Sequence, residues 1–155
     1  VRITTRLDND DAIHPRFIER VQELARRHIP AMDLPRGFFI SFPIGCTERQ
    51  GDFYVQRYRC NPFTSFVSAP ECGRTVLGSD HRYIADVAPV VFGYSRPMWC
   101  QVIHPDNVAN VLRGVYWPWG AGSGFAPEAT EGFRRPLSWQ CAEVARSAFR
   151  YLLHR

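Results

Sequence analysis

An extended run, an acidic cluster and a proline-led helix follow one another at the start of the chain, and this order constrains the fold more than any other feature. Arg2 to Leu7 suits a strand, because Ile3, Thr4, Thr5 and Leu7 favour the extended state. Asp8-Asn9-Asp10-Asp11 follows at once and crowds three carboxylates together. Like charges that close repel and raise one another's pKa unless something positive sits between them. Pro15 then suits the first residue of a helix; Phe17, Ile18, Val21, Leu24 and Ala25 recur at helical spacing, and Pro30 stops it. A strand, an acidic loop and an amphipathic helix put the loop beyond the C-terminal end of a strand, where α/β sheets bind ligands.

Downstream, Gly37 to Gly45 reads as an apolar strand and Asp52 to Arg59 as a half-buried one, joined as a hairpin through Cys46 to Gly51. Asn61 to Ser68 reads as extended or turn, Thr75 to Leu77 as a short strand, His81 to Val87 as a helical turn and Met98 to Ile103 as a strand. Tyr116 to Gly132 is glycine-rich, aromatic and aperiodic, and reads as a loop. Ser138 is placed to cap a last helix with Trp139, Ala142, Ala145, Phe149 and Leu152 on one face. Strands and helices alternate without an internal repeat, so the class is α/β or α+β and residues 1–155 form a single domain.

A chain of 155 residues can bury one core. No apolar run is long enough to span a bilayer, and no signal peptide opens the sequence. Val1 leads directly into a strand, which suggests a fragment or a cropped domain. The net charge is +4 and all 19 cationic Lys or Arg positions are arginine, scattered rather than striped, which argues against a nucleic-acid surface. The 5 cysteines (Cys46, Cys60, Cys72, Cys100 and Cys141) include no CxxC pair and are odd in number; they read as reduced, mostly buried thiols in a cytoplasmic protein.

Asp8 and Asp10 alternate along an extended backbone, so both can point to one side. Two carboxylates there make half a cage for Mg²⁺ or Mn²⁺, hard ions that keep positions open for water and phosphate oxygens. The competing reading is a solvated acidic turn with Asp11 favoured by the helix N-terminus. An EF-hand is excluded, because its glycine and later glutamate are missing, and the residues after the cluster do not suit a haloacid-dehalogenase-type phosphatase.

The stretch TTRLDNDDAI, Thr4 to Ile13, resembles the DxD segment of GT-A glycosyltransferases and, more closely, the rhamnosyltransferase family. NPFTSFV, Asn61 to Val67, and WCQVIHPDNVANVLRG, Trp99 to Gly114, fit the same family, so the resemblance runs from near the start of the chain to Gly114. It implies an α/β, GT-A-like nucleotide-diphospho-sugar transferase fold, of which these residues are the portion from the DxD motif to the C-terminus. The nucleotide-binding half is expected upstream. It implies a nucleotide-sugar donor, with Asp8 facing ribose or metal, Asp10 binding Mn²⁺ or Mg²⁺, and Asp11 behind them or capping the helix. GT-A enzymes often add a histidine to the same metal near the end of the core, and His104 is the candidate.

Three further expectations concern the substrate. An inverting transferase needs a base for the acceptor hydroxyl; Asp80, with His81 beside it, is the candidate, and Glu71, Asp106 and Glu128 are rivals. Asn107 and Asn110 can hydrogen-bond a sugar or phosphate. Trp117 and Trp119 flank Pro118 in the aromatic loop and can stack on sugar, whereas Trp99 reads as core and Arg6 as a structural partner for a nearby carboxylate. The expected activity is transfer of sugar to a glycan or glycolipid acceptor in polysaccharide biosynthesis, in the cytoplasm or peripheral to the inner face of the membrane. The alternatives are a metal-dependent phosphohydrolase using the same aspartates, and a carbohydrate-binding module without a metal.

Overall fold

The computed structural model describes residues 1–94, 96–104, 111–118, 124–125 and 135–153. The mixed α/β class holds. Nine strands form two sheets among the described residues. The first has the order β1 (Arg2–Thr5), β6 (Ser65–Ser68), β3 (Phe38–Ser41), β7 (Val90–Phe92). The second has the order β2 (Ala12–Ile13), β8 (Trp99–Val102), β4 (Ile44–Arg49), β5 (Asp52–Arg57), β9 (Val115–Tyr116). Within each sheet one pair is parallel, β3 with β7 and β4 with β8, and the other pairs are antiparallel.

The apolar run from Gly37 to Gly45 is two strands, not one. Pro43 has no N–H to give to a ladder, so the run breaks there and the chain passes from the first sheet into the second. Residues 46–49 therefore belong to β4 rather than to a hairpin loop. The β4–β5 hairpin closes through Gln50 and Gly51, both at positive φ (54° and 82°), the pair of conformations a two-residue type I′ turn demands. Gly45 lies directly under the Trp99 indole, where a Cβ would come within 2.1 Å of the ring.

Helix α1 (Phe17–His28) turns Phe17, Val21 and Ala25 inward against Phe38 and Ile40 of β3, Val67 of β6 and Trp99 of β8. This core spans both sheets, and Trp99 stacks on Phe63 at 5.0 Å. Pro15 precedes the helix by two residues rather than starting it, and Ile29–Ala31 extends its end as a 3₁₀ turn. On the far side of the first sheet, Phe39 and Phe66 pack under Val76 and Ile84. The expected strand at Thr75 to Leu77 is instead a 3₁₀ turn, Val76–Gly78, because no free sheet edge pairs with it. His81–Tyr83 and α2 (Ile84–Val87) give the expected helical turn.

Helix α3 (Leu137–Leu153) corrects the expected apolar face. Phe149 and Leu152 are exposed, and Glu143 and Ser147 are buried. Ser138 lies inside the helix rather than at its cap. The helix docks by polar contacts: the Tyr54 hydroxyl donates to Glu143, the Tyr116 amide to Ser147 Oγ and the Arg57 amide to the Tyr151 hydroxyl. Of the expected apolar face, Trp139 does turn inward, edge-on against Tyr116 of β9 at 5.3 Å. Among the described residues no helix is long and apolar enough to cross a membrane.

Asn61 joins the pieces. Its side-chain amide donates to Phe42 O (2.9 Å), Tyr58 O (3.0 Å) and Ser41 Oγ (3.1 Å), and its carbonyl oxygen accepts from the Phe63 amide (3.0 Å). Asn61 is fully buried, so Asn61→Ala leaves several polar groups without partners in a dry site. The expected loss is about 3 kcal/mol of stability, read from urea denaturation monitored by circular dichroism.

Candidate functional site

The acidic cluster sits where the chain leaves the first sheet for the second. Residues 8–11 form a turn, closed by the Asp11 amide donating to Asp8 O at 3.2 Å. The backbone there is not extended, so Asp8 and Asp10 do not share a direction by strand alternation. Each carboxylate has its own partner. Asp8 is exposed and pairs with Arg6 at 3.3 Å, the structural role expected for that arginine. Asp10 Oδ2 lies 3.1 Å from His104 Nε2. Asp11 Oδ1 accepts the Val102 amide at 3.0 Å.

Asp11 is thus no helix cap: β2 and His14 lie between it and α1. It ties the turn to the last residue of β8, two positions before His104. Burial pushes its pKa up to about 6, with the charges of Asp10 and Asp8 adding to the rise and the Val102 hydrogen bond opposing it.

Of the remaining candidates, Asp80 caps the turn at His81–Tyr83 and is gripped by Arg82 at 2.6 Å. That guanidinium holds its pKa far below the usual carboxylate range, so Asp80 itself accepts protons weakly. His81 is better placed. Its Nδ1 faces Asp80 at 3.5 Å and its Nε2 meets the Tyr58 hydroxyl at 3.0 Å. Burial lowers its pKa, against the opposing charge of Asp80. Tyr58 also lines a cleft of 660 Å³ between β5, residues 111–114 and α3.

Trp99 is core, as its sequence context indicates. Trp117 is half-buried, and its amide donates to Phe53 O at 2.8 Å, which anchors the start of the aromatic loop. Glu71 is exposed. Asp106, Asn107, Asn110, Trp119 and Glu128 lie outside the described residues. The cysteines are free thiols; only Cys46 and Cys100 are fully buried, neighbours in register on β4 and β8. Among the described residues no group of three or more His, Cys, Asp or Glu side chains is arranged to hold a metal ion.

Sequence reasoning missed Tyr58 and His14. The signal for Tyr58 was absent, since its partner His81 is 23 positions away. His14 carries a weak local one, directly before Pro15. It is buried, its Nδ1 accepts the Arg16 amide at 3.1 Å, and its ring meets Phe125 edge-on at 5.8 Å.

A family model described as "Putative rhamnosyl transferase" matches residues 1–115, and the chain belongs to that family. The match takes in the acidic turn, both sheets and His104, and ends at the start of β9, before α3. The family points to glycosyl transfer, with a sugar donor and an acceptor as partners. No curated protein and no solved structure matches the chain.

His14 generates a pH dependence of stability. Burial lowers its pKa in the folded state, and Arg16 and Arg96 lower it further. The unfolded chain then takes up the proton first as pH falls. Stability from this site is complete above the unfolded histidine value of about 6.5 and is lost as pH falls below it. Thermal melts from pH 7.5 down to pH 5 are expected to fall more steeply for wild type than for His14→Gln. Parallel curves for the two proteins would refute the assignment.

Proposed function

We propose that this protein transfers a sugar from a nucleotide-sugar donor to a glycan or glycolipid acceptor, on a GT-A-like frame in which Asp8-Asn9-Asp10 is the motif facing the donor diphosphate. The observation that carries this reading is the Asp10–His104 pair, a carboxylate and an imidazole 94 positions apart in sequence and 3.1 Å apart in space. Adjacent ligands of an octahedral Mn²⁺ or Mg²⁺ stand about 3 Å apart, so this oxygen and nitrogen suit two neighbouring positions. Two protein donors are enough for such an ion when water and substrate phosphate oxygens complete its shell. Bound there, the cation would supply positive charge opposite the nucleoside diphosphate as the sugar bond breaks.

The chain's own residues divide the remaining work. Asp10 and His104 hold the charged end of the donor in place. Asp8, exposed and held only by a surface pair with Arg6, is free to turn toward ribose or metal. Asp11 keeps the turn against β8. His81, kept neutral near pH 7 by burial, accepts the acceptor's hydroxyl proton, and Asp80 orients its ring rather than acting as the base itself. We assign residues 1–155 the metal-binding and acceptor side of the reaction, with Asn107 contributing to donor binding.

The test is binding rather than turnover. Electron paramagnetic resonance of Mn²⁺ and calorimetric titration of UDP, GDP and dTDP are run on wild type, Asp10→Ala, His104→Ala and Asp11→Asn. Removing one ligand side chain at Asp10 or His104 is expected to weaken Mn²⁺ and Mn²⁺-dependent nucleotide binding about tenfold or more. Asp11→Asn, which keeps an oxygen for Val102, is expected to leave both within about twofold. Nucleotide binding that ignores both Mn²⁺ and Asp10→Ala would overturn the reading.

A further inference from the structure

The 660 Å³ cleft beside Tyr58 has a charge that sugar binding does not explain. Three arginines line it, Arg57 at the end of β5, Arg113 before β9 and Arg150 in α3, together with Tyr58 and Tyr151, and among the described residues no Asp or Glu does. Arg150 shares its carboxylate, Glu143, with Arg146, and both reach it at 3.0 Å. Arg57 and Arg113 pair with no carboxylate among the described residues. Arg113 is close enough to the Tyr58 phenol for its charge to act on it.

The walls are fixed by contacts that do not involve the guanidiniums. The Arg57 amide donates to the Tyr151 hydroxyl at 3.0 Å, which closes α3 onto β5, and the Thr47 hydroxyl donates to Arg113 O. Cations brought to one cavity by three separate elements, with the backbone already pinned, are preorganised for an anion. A carboxylate is saturated by one forked guanidinium, whereas a phosphate dianion offers three terminal oxygens to several forks.

We propose that this cleft binds the phosphate group of a phosphorylated ligand, at a site separate from the Asp10–His104 pair. The assignment does not rest on the sugar-transfer reading, since it requires neither a metal nor the acidic turn.

Calorimetric titration of inorganic pyrophosphate in EDTA tests it, because the chelator removes any metal-borne phosphate site. Arg57→Met and Arg113→Met are each expected to weaken binding about tenfold, and Arg27→Met on the distant α1 surface to leave it unchanged. Thermal melts of all variants should coincide, since neither guanidinium carries a fold contact. No pyrophosphate binding by wild type in EDTA, or an equal loss with Arg27→Met, would overturn the proposal. Flotation with phosphatidylcholine vesicles, with and without phosphatidic acid, separates the sources. Association that needs phosphatidic acid and is lost in Arg57→Met/Arg113→Met supports a lipid-borne phosphate. Pyrophosphate binding without vesicle association supports a soluble one.

Discussion

The hydrogen bond from the Val102 amide to the Asp11 carboxylate is the contact on which the site depends. Residues 8–11 carry the chain from one sheet to the other, and this bond sets where the turn lands. With Asp11 fixed to the end of β8, Asp10 meets the imidazole of His104 just beyond that strand. The two-residue β2 ladder, Ala12 with Cys100 and Ile13 with Trp99, continues the same attachment. The arrangement has an energetic cost, visible in the raised pKa of Asp11. A half-buried carboxylate beside two others is tolerated because an N–H is aimed at it.

Charge is distributed unevenly around this frame. Three carboxylates gather at the sheet-to-sheet turn, and three arginines gather around a cleft on the α3 side of the second sheet. His81 and Tyr58 form a hydrogen-bonded pair, and Tyr58 lines the cleft. A donor diphosphate held by a cation at the turn and an anionic group held by guanidiniums in the cleft would bring opposite electrostatic solutions to one binding problem. Family membership supports the transfer of a sugar.

Much of the fold was legible because local rules and tertiary packing agreed. The α1 stripe of Phe17, Val21 and Ala25 packs inward at the spacing that predicts it, and the strand at Trp99 to Val102 falls within the expected run. Where the reading failed, a competing contact won. Pro43 divided a continuous apolar run between two sheets. Helix α3 buried Glu143 and Ser147 because β5 and β9 present hydroxyl and amide partners to them; of the expected stripe, Trp139 packs on Tyr116 while Phe149 and Leu152 stay exposed. Asn61, which opens the NPFTSFV stretch, is a buried hydrogen-bonding centre whose role the sequence alone did not show.

The sequence by itself determined that three carboxylates stand at the end of a strand, that a histidine follows a later strand, and that both belong to an α/β chain. These are consequences of local periodicity and of residue type. The tertiary structure alone decided which carboxylate meets His104, that Asp11 serves the backbone, that His81 faces Tyr58, and that arginines from three parts of the chain share one cleft. Those outcomes depend on turn geometry and on partners 23 to 94 positions away, and no short stretch of sequence specifies the direction of a side chain relative to a group that distant.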